Sequence, residues 1–235
     1  MAKATKTGTS VVNIQEELKK QAAGIKDRIQ APSGDFIRVT QDKKFKLPNG
    51  QDGSGPLNLV ILDFICLNQF FDRPYKEGDK TPPACLALGP NPKQLKPEAV
   101  SPVKQADACC ECPNDVFGSR GTGKACNNQR VLAVVEDNND LNSPIYLLKV
   151  SPTALKAFDG YVSTIKTQFD SMPVSVVTEV YFDPNLKYPS LRFGNPVPNK
   201  NLVIHYNRIS DAAARLRVVP DVSAYTPLSK AGKKK

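Results

Sequence analysis

A mainly β fold, a small five-stranded Greek-key barrel flanked by helices, follows from three observations in this 235-residue sequence. Short segments of strand character recur between turn-forming Pro, Gly, Asn and Asp. One apolar run, LNLVILDFICLNQFF over residues 57–71, is too long for a flat strand and predicts a highly curved one that serves two parts of a barrel. A single strong helix falls late, between the third and fourth barrel strands.

The elements read in order. Residues 1–10 look unstructured. Val11 to Ile29 then places Ile14, Leu18, Ala22, Ile25 and Ile29 at helical spacing, and Pro32-Ser33-Gly34 ends that helix. Phe36–Val39 and Lys43–Leu47 read as strands around Gln41-Asp42, with Pro48-Asn49-Gly50 as the following turn. The long curved strand comes next, and then a polar stretch over 79–129. Strands resume at Arg130–Glu136 and Pro144–Val150. Ser151 is the expected N-cap and Pro152 the first turn of a helix ending near Phe169, with Leu155, Phe158, Val162, Ile165 and Phe169 on its apolar face. Val174–Phe182 and Ser190–Phe193 follow as strands, Leu202–Tyr206 as a further strand, and Ser210–Arg217 as a helix. A Greek-key barrel with its helix in this place is the OB arrangement. The expected organisation is a basic arm and helix over 1–34, an OB core over 35–195, and a C-terminal helix with a basic tail over 196–235.

Composition narrows the function. Apolar residues are 40% and charged residues 23%, as in ordinary globular material. No apolar run approaches the ~20 residues that span a bilayer, and Met1–Ser10 lacks a signal-type apolar segment, so a cytoplasmic protein is expected. Formal charge is +9. Residues 1–46 carry ten Lys or Arg against five Asp or Glu, and residues 200–235 carry eight against two. Positive ends around a near-neutral middle attract polyanions through counterion release.

Six cysteines carry the sharpest signal. Cys85 lies in PPAC, Cys109, Cys110 and Cys112 in CCECP, and Cys126 in GKAC, whereas Cys66 sits in the apolar run as an expected core thiol. The C-x-x-C spacing to Cys112 selects Cys109 over Cys110. Cys85, Cys109, Cys112 and Cys126 then make a closed four-thiolate set for structural Zn²⁺, whose binding supplies ordering energy to a stretch with little core of its own. Disulfides are the competing reading, disfavoured in a reducing compartment. Gly118–Ala125 imitates a phosphate-binding loop, yet Ala125 stands where Mg²⁺ coordination needs Ser or Thr, so nucleotide hydrolysis is rejected.

The phrases PPAC, CxxCPNDxFGS and GTGKACxxxR resemble the zinc-binding insertion of OB-fold single-stranded DNA-binding proteins encoded by tailed bacteriophages. FIRVTQDKKFKLPNG, PIYLLKVSPTALKAFDGYV and VVTEVYFDP are similar to the barrel strands and helix of that family. The resemblance implies a protein that coats unpaired DNA in phage replication or recombination, in the host cytoplasm, with zinc on Cys85, Cys109, Cys112 and Cys126. The SKAGKKK ending departs from the acidic tail by which many such proteins recruit replication enzymes.

Single strands are held by cations along the phosphates and by rings stacked on bases. Seven Tyr and ten Phe, with no Trp, supply the rings. Candidates near predicted strand ends are Phe71, Tyr75, Tyr181 and Tyr188. The cationic candidates are Arg38, Lys43, Lys44, Arg73, Lys76, Arg120, Lys124, Arg130 and Arg192, of which Arg120, Lys124 and Arg130 bracket the insertion as a basic lip. Two other classes compete. A zinc-stabilised structural or adaptor protein needs only the metal and the basic ends. A metal-dependent nuclease would need Asp63, Asp72 and Glu136 to converge, and the lone histidine, His205, reads as a packed one rather than a deaminase ligand. Coating against annealing, DNA against RNA, protein partners, oligomeric state, the choice between Cys109 and Cys110 as ligand, and which rings stack on bases stay open at this stage.

Overall fold

The computed structural model describes residues 35–53, 55–74, 81–138 and 143–227. The expected helix over residues 11–29, with Tyr75, Lys76 and the terminal lysines, lies outside them.

Nine strands form one curled, mixed sheet: β1 (Phe36–Val39), β2 (Phe45–Lys46), β3 (Asp52–Gly53), β4 (Leu57–Phe70), β5 (Cys85–Gly89), β6 (Cys126–Glu136), β7 (Tyr146–Val150), β8 (Val176–Phe182) and β9 (Leu191–Pro198). Their order is β3-β2-β1-β7-β6-β4-β8-β9, with β5 added beside β4. Every pairing is antiparallel except β1 with β7, which run parallel. Helix α1 (Leu155–Phe169) falls between β7 and β8, and α2 (Leu202–Tyr206) and α3 (Ile209–Leu216) follow β9. The described residues are thus mainly β, with nine strands where the sequence predicts five barrel strands.

β4 organises the sheet as its length predicts. One side pairs with β6 from Leu59 to Phe70. The other is shared, with β8 at Leu57–Leu59 and β5 at Cys66–Phe70. A bulge lies between Ile61 and Asp63, with Leu62 as the extra residue, and such an insertion increases local twist and bends the strand.

Within the curl the core is continuous. Leu59 and Ile61 of β4, Leu132 and Val134 of β6, Leu148 and Val150 of β7 meet Phe158, Tyr161 and Ile165 of α1. The apolar spacing of α1 puts these three on one face, and each buried ring or branched chain contributes about 1.5–3 kcal/mol of transfer energy. Pro152 opens a 3-10 turn over Pro152–Ala154 that leads into the helix, but Ser151 caps nothing, its hydroxyl instead meeting that of Thr153. The two ends of the sheet approach through side chains: Phe45 of β2 stacks on Phe182 of β8 with ring centroids 4.4 Å apart.

The outer face has its own apolar layer. Val60, Leu62, Ile65 and Leu67 of β4 and Val131, Ala133 and Val135 of β6 are covered by Ala212 and Leu216 of α3. Residues 202–206, expected as a strand, are helical. His205 there is 4% exposed and hydrogen-bonded to the Asn199 side chain, and that buried anchor outweighs the strand preference of its neighbours.

Candidate cysteine site and nucleic-acid interface

Beyond the bulge, Phe64 of β4 turns inward and meets Phe158 edge-on. Period-two alternation then puts Cys66, Asn68 and Phe70 on that same inner face. Their partners on β6 are Arg130, Asn128 and Cys126, and on β5 Gly89, Ala87 and Cys85. Cys85 and Cys126 therefore flank Phe70 in one row across three strands. The stretch 79–129, expected to lack core of its own, instead adds β5 to the sheet and buries Ala84, Leu86, Ala87 and Leu95.

The loop over 90–125 folds back over this inner face. Leu95 packs with Cys66, Ala87 and Cys109, and the Cys109 amide donates to the Leu95 carbonyl at 2.9 Å. Cys109–Glu111 forms a 3-10 turn that Cys112 closes by donating its amide to the Cys109 carbonyl. Cys85, Cys109, Cys112 and Cys126, with Asp115, line one cavity of about 20 Å³, roughly the room of one water-sized body. All four thiols are buried. Cys110 is exposed, and Cys66 is a buried thiol beside the Pro90 carbonyl, as its apolar run predicts. Among the described residues, no three Cys, His, Asp or Glu side chains stand in a metal-holding arrangement.

Electrostatics at the cavity oppose free thiolates. Burial pushes the Cys126 thiol up to about 12, with Asp115 and the other three cysteines adding to it. Burial likewise pushes Cys109 up to about 11, helped by Cys85, Asp115 and Cys112 and opposed by a hydrogen bond from Asn68. Without a cation the Cys109 and Cys126 thiols keep their protons. A bound dication would reverse that balance, because metals take thiolates as ligands and their binding releases the protons.

The predicted nucleic-acid contacts divide into groups. Lys43 sits in the left-handed region (φ 55°) of the turn from Thr40 to Lys44, and its Nζ donates to the Asp183 carbonyl at 3.0 Å. Tyr181 and Arg192 lie directly opposite each other on β8 and β9, and Arg192 reaches the Asp183 carboxylate at 2.5 Å. The backbone amide of Asn185, together with Arg192, holds that carboxyl below its ordinary range. Lys43, Glu179, Tyr181, Phe182 and Pro184 frame an open cleft of about 400 Å³. Tyr188 is exposed between β8 and β9. Three predicted contacts, Lys43, Tyr181 and Arg192, are therefore tied to this edge of the sheet.

Other candidates are placed apart. Lys44 pairs with Asp42 at 2.8 Å, and Arg38 lies opposite Lys46 on β1 and β2. Phe71 is half-buried. Arg73 pairs with Asp72 and also reaches the Thr226 carbonyl, while Tyr225 donates to the Asp72 carboxylate at 2.6 Å. The C-terminal segment thus lies over the end of β4, a contact no local pattern foretold. Arg120 and Lys124 stand on the cysteine loop, where Lys124 pairs with Asp115 at 2.9 Å. Arg130 does not join them in a lip: it is 9% exposed on the inner face and faces Asp159 of α1. The proposed nuclease acids do not meet. Glu136 is opposite Leu59 and Asp63 opposite Ala133, strung along one ladder, and Asp72 lies past its end.

Sequence reasoning passed over Phe117, which is 77% exposed with the Lys124 ammonium 5.3 Å from its ring centre. The adjoining Gly118 was its available signal, since a ring beside a turn glycine sits at a loop tip. Comparison with protein-family models, curated proteins and solved structures gives no match. Among the described residues, no helix is long and apolar enough to cross a membrane.

Proposed function

We propose that this protein binds unpaired DNA without sequence preference, on an OB-type barrel whose cysteine loop is stabilised by Zn²⁺. The reading rests on Lys43 and Tyr181 lining one open cleft at the end of β8, with Arg192 directly opposite Tyr181 and held by Asp183. Cations there follow phosphates, and each ring stacked on a base contributes about 1–3 kcal/mol whatever the base, which is how a strand is held without readout. The strand order supports the OB assignment: β4, β6 and β7 form a meander, α1 follows, and β8 returns to β4.

Cys85, Cys109, Cys112 and Cys126 would hold the zinc. Their donor chemistry and the small cavity that all four line support this set. The metal supplies order to the loop and takes no part in a reaction. Coating during phage replication or recombination is the role this chemistry serves.

The test is a fluorescence titration with oligo(dT), duplex DNA and RNA over a salt series. Tight oligo(dT) binding, with log K falling about 0.7 per neutralised phosphate against log salt, supports the reading. Equal or better binding to duplex contradicts it. One observation favours an adaptor instead: Lys44, Arg73, Lys124, Arg130 and Arg192 are each already paired with a carboxylate. An adaptor would leave oligo(dT) unbound at moderate salt.

A further inference from the structure

The cysteine loop ends in a tip that the proposed function does not use. Gly118 and Gly121 take positive φ (92° and 58°), conformations that a side chain would strain, and Arg120 bridges back to Gly123. The Gly118 amide donates to the Gly123 carbonyl at 2.9 Å, and the Ser119 hydroxyl donates to the Val116 carbonyl and accepts from the Ala125 amide. The glycines that imitate a phosphate loop in sequence therefore build a fixed hairpin beside Cys126. Val116 and Phe117 project from it at 57% and 77% exposed.

A large apolar ring held in water on a hydrogen-bonded hairpin gains little burial energy in folding. Lys124 lies over the ring while paired with Asp115, and Arg120 is exposed with no ion pair among the described residues. An exposed ring with a cation over one face, and Arg120 on the same hairpin, complements a base stacked on the remaining face with its phosphate near a cation. Resting on the proposed function, we infer that Phe117 is a stacking platform for an unpaired base, with Arg120 on the adjoining phosphate. This places a contact on the cysteine loop itself, apart from the Asp183 cleft.

Because the protein has no Trp, Phe117→Trp installs a single reporter. Its emission should be quenched on adding oligo(dT), with affinity retained. Phe117→Ala should weaken oligo(dT) binding by about 5- to 150-fold, the equivalent of ~1–3 kcal/mol, at unchanged salt dependence. Arg120→Ala should instead reduce the salt slope by about 0.7. Unchanged metal content and circular dichroism in each variant confirm an intact fold. If wild type binds oligo(dT) and Phe117→Ala binds equally well, or the Trp emission does not respond, the stacking assignment is overturned while the proposed function stands. If wild type itself fails to bind oligo(dT), both fall. If Phe117→Ala loses binding to anionic phosphatidylglycerol vesicles but keeps its DNA affinity, the tip belongs to a lipid surface and the inference is overturned.

Discussion

The two halves of β4 present one inner face with two kinds of interior. Up to Phe64 that face buries Leu59 and Ile61 against α1, and apolar burial alone accounts for its order. Past Phe64 it carries Cys66, Asn68 and Phe70 under a loop, where the packed apolar cluster is only Cys66, Ala87, Leu95 and Cys109. Hydrophobic transfer cannot organise that half to the same degree. Hydrogen bonds such as the Ser101 hydroxyl to the Leu86 carbonyl (3.0 Å) take part of the role, and on our account a metal on the four thiols takes the rest.

The largest effect belongs to the first half. Phe158 is fully buried, with edge contacts to Phe64 and Phe193 whose ring centres each lie 5.1 Å away. Phe158→Ala should cost about 3–5 kcal/mol in urea unfolding and lower the stability of both halves together. Chelation should separate them. With the metal removed, protease cutting should concentrate between residues 90 and 125 while the far-ultraviolet signal of the sheet persists, and Tm should drop by about 4–8 °C, the equivalent of ~2 kcal/mol. Cutting spread equally over the chain would show that the halves are not distinct.

A narrower lesion tests the loop packing. A methyl at Gly89 would stand 2.8 Å from Leu95 Cδ2, so Gly89→Ala should cost about 1–3 kcal/mol by overpacking. Hydrogen exchange should speed up at the Cys109 amide, which leans on Leu95, and stay unchanged in the β6–β7 ladder. The smallest effect is expected at His205, outside both halves. Burial lowers its pKa from 6.5, so the fold favours the neutral ring. The unfolded chain takes up the proton first as pH falls, and the contribution of His205 is present above about 6.5 and lost below it. A shallow decline of Tm under pH 6.5, flattened in His205→Gln, is the expected outcome.

Much of this was readable locally. The apolar run at residues 57–71 announced β4, and the Leu155, Phe158 and Ile165 spacing announced α1, because those signals are periodic and each element buries one face. β5 was missed because CLALG lies among prolines and a lysine and has no alternating pattern; its partner β4 makes it a strand. Residues 202–206 misled because β-branched LVIHY reads as extended, whereas the Asn199–His205 contact decides it. The site was legible as residue types only. Spacing brought Cys109 and Cys112 together, but the shared row of Cys85 and Cys126 beside Phe70 depends on strand register, and the burial of Arg130 depends on which face of β6 it occupies.

Metal analysis of the purified protein, followed by Co²⁺ substitution, tests the four-thiol assignment most directly. The account predicts one zinc per chain and an intense sulfur-to-cobalt absorption. Replacing Cys85, Cys109, Cys112 or Cys126 with Ser should each weaken that band, and replacing Cys66 or Cys110 should leave it intact. A protein free of bound metal, or a cobalt spectrum indifferent to the first four substitutions, would contradict it.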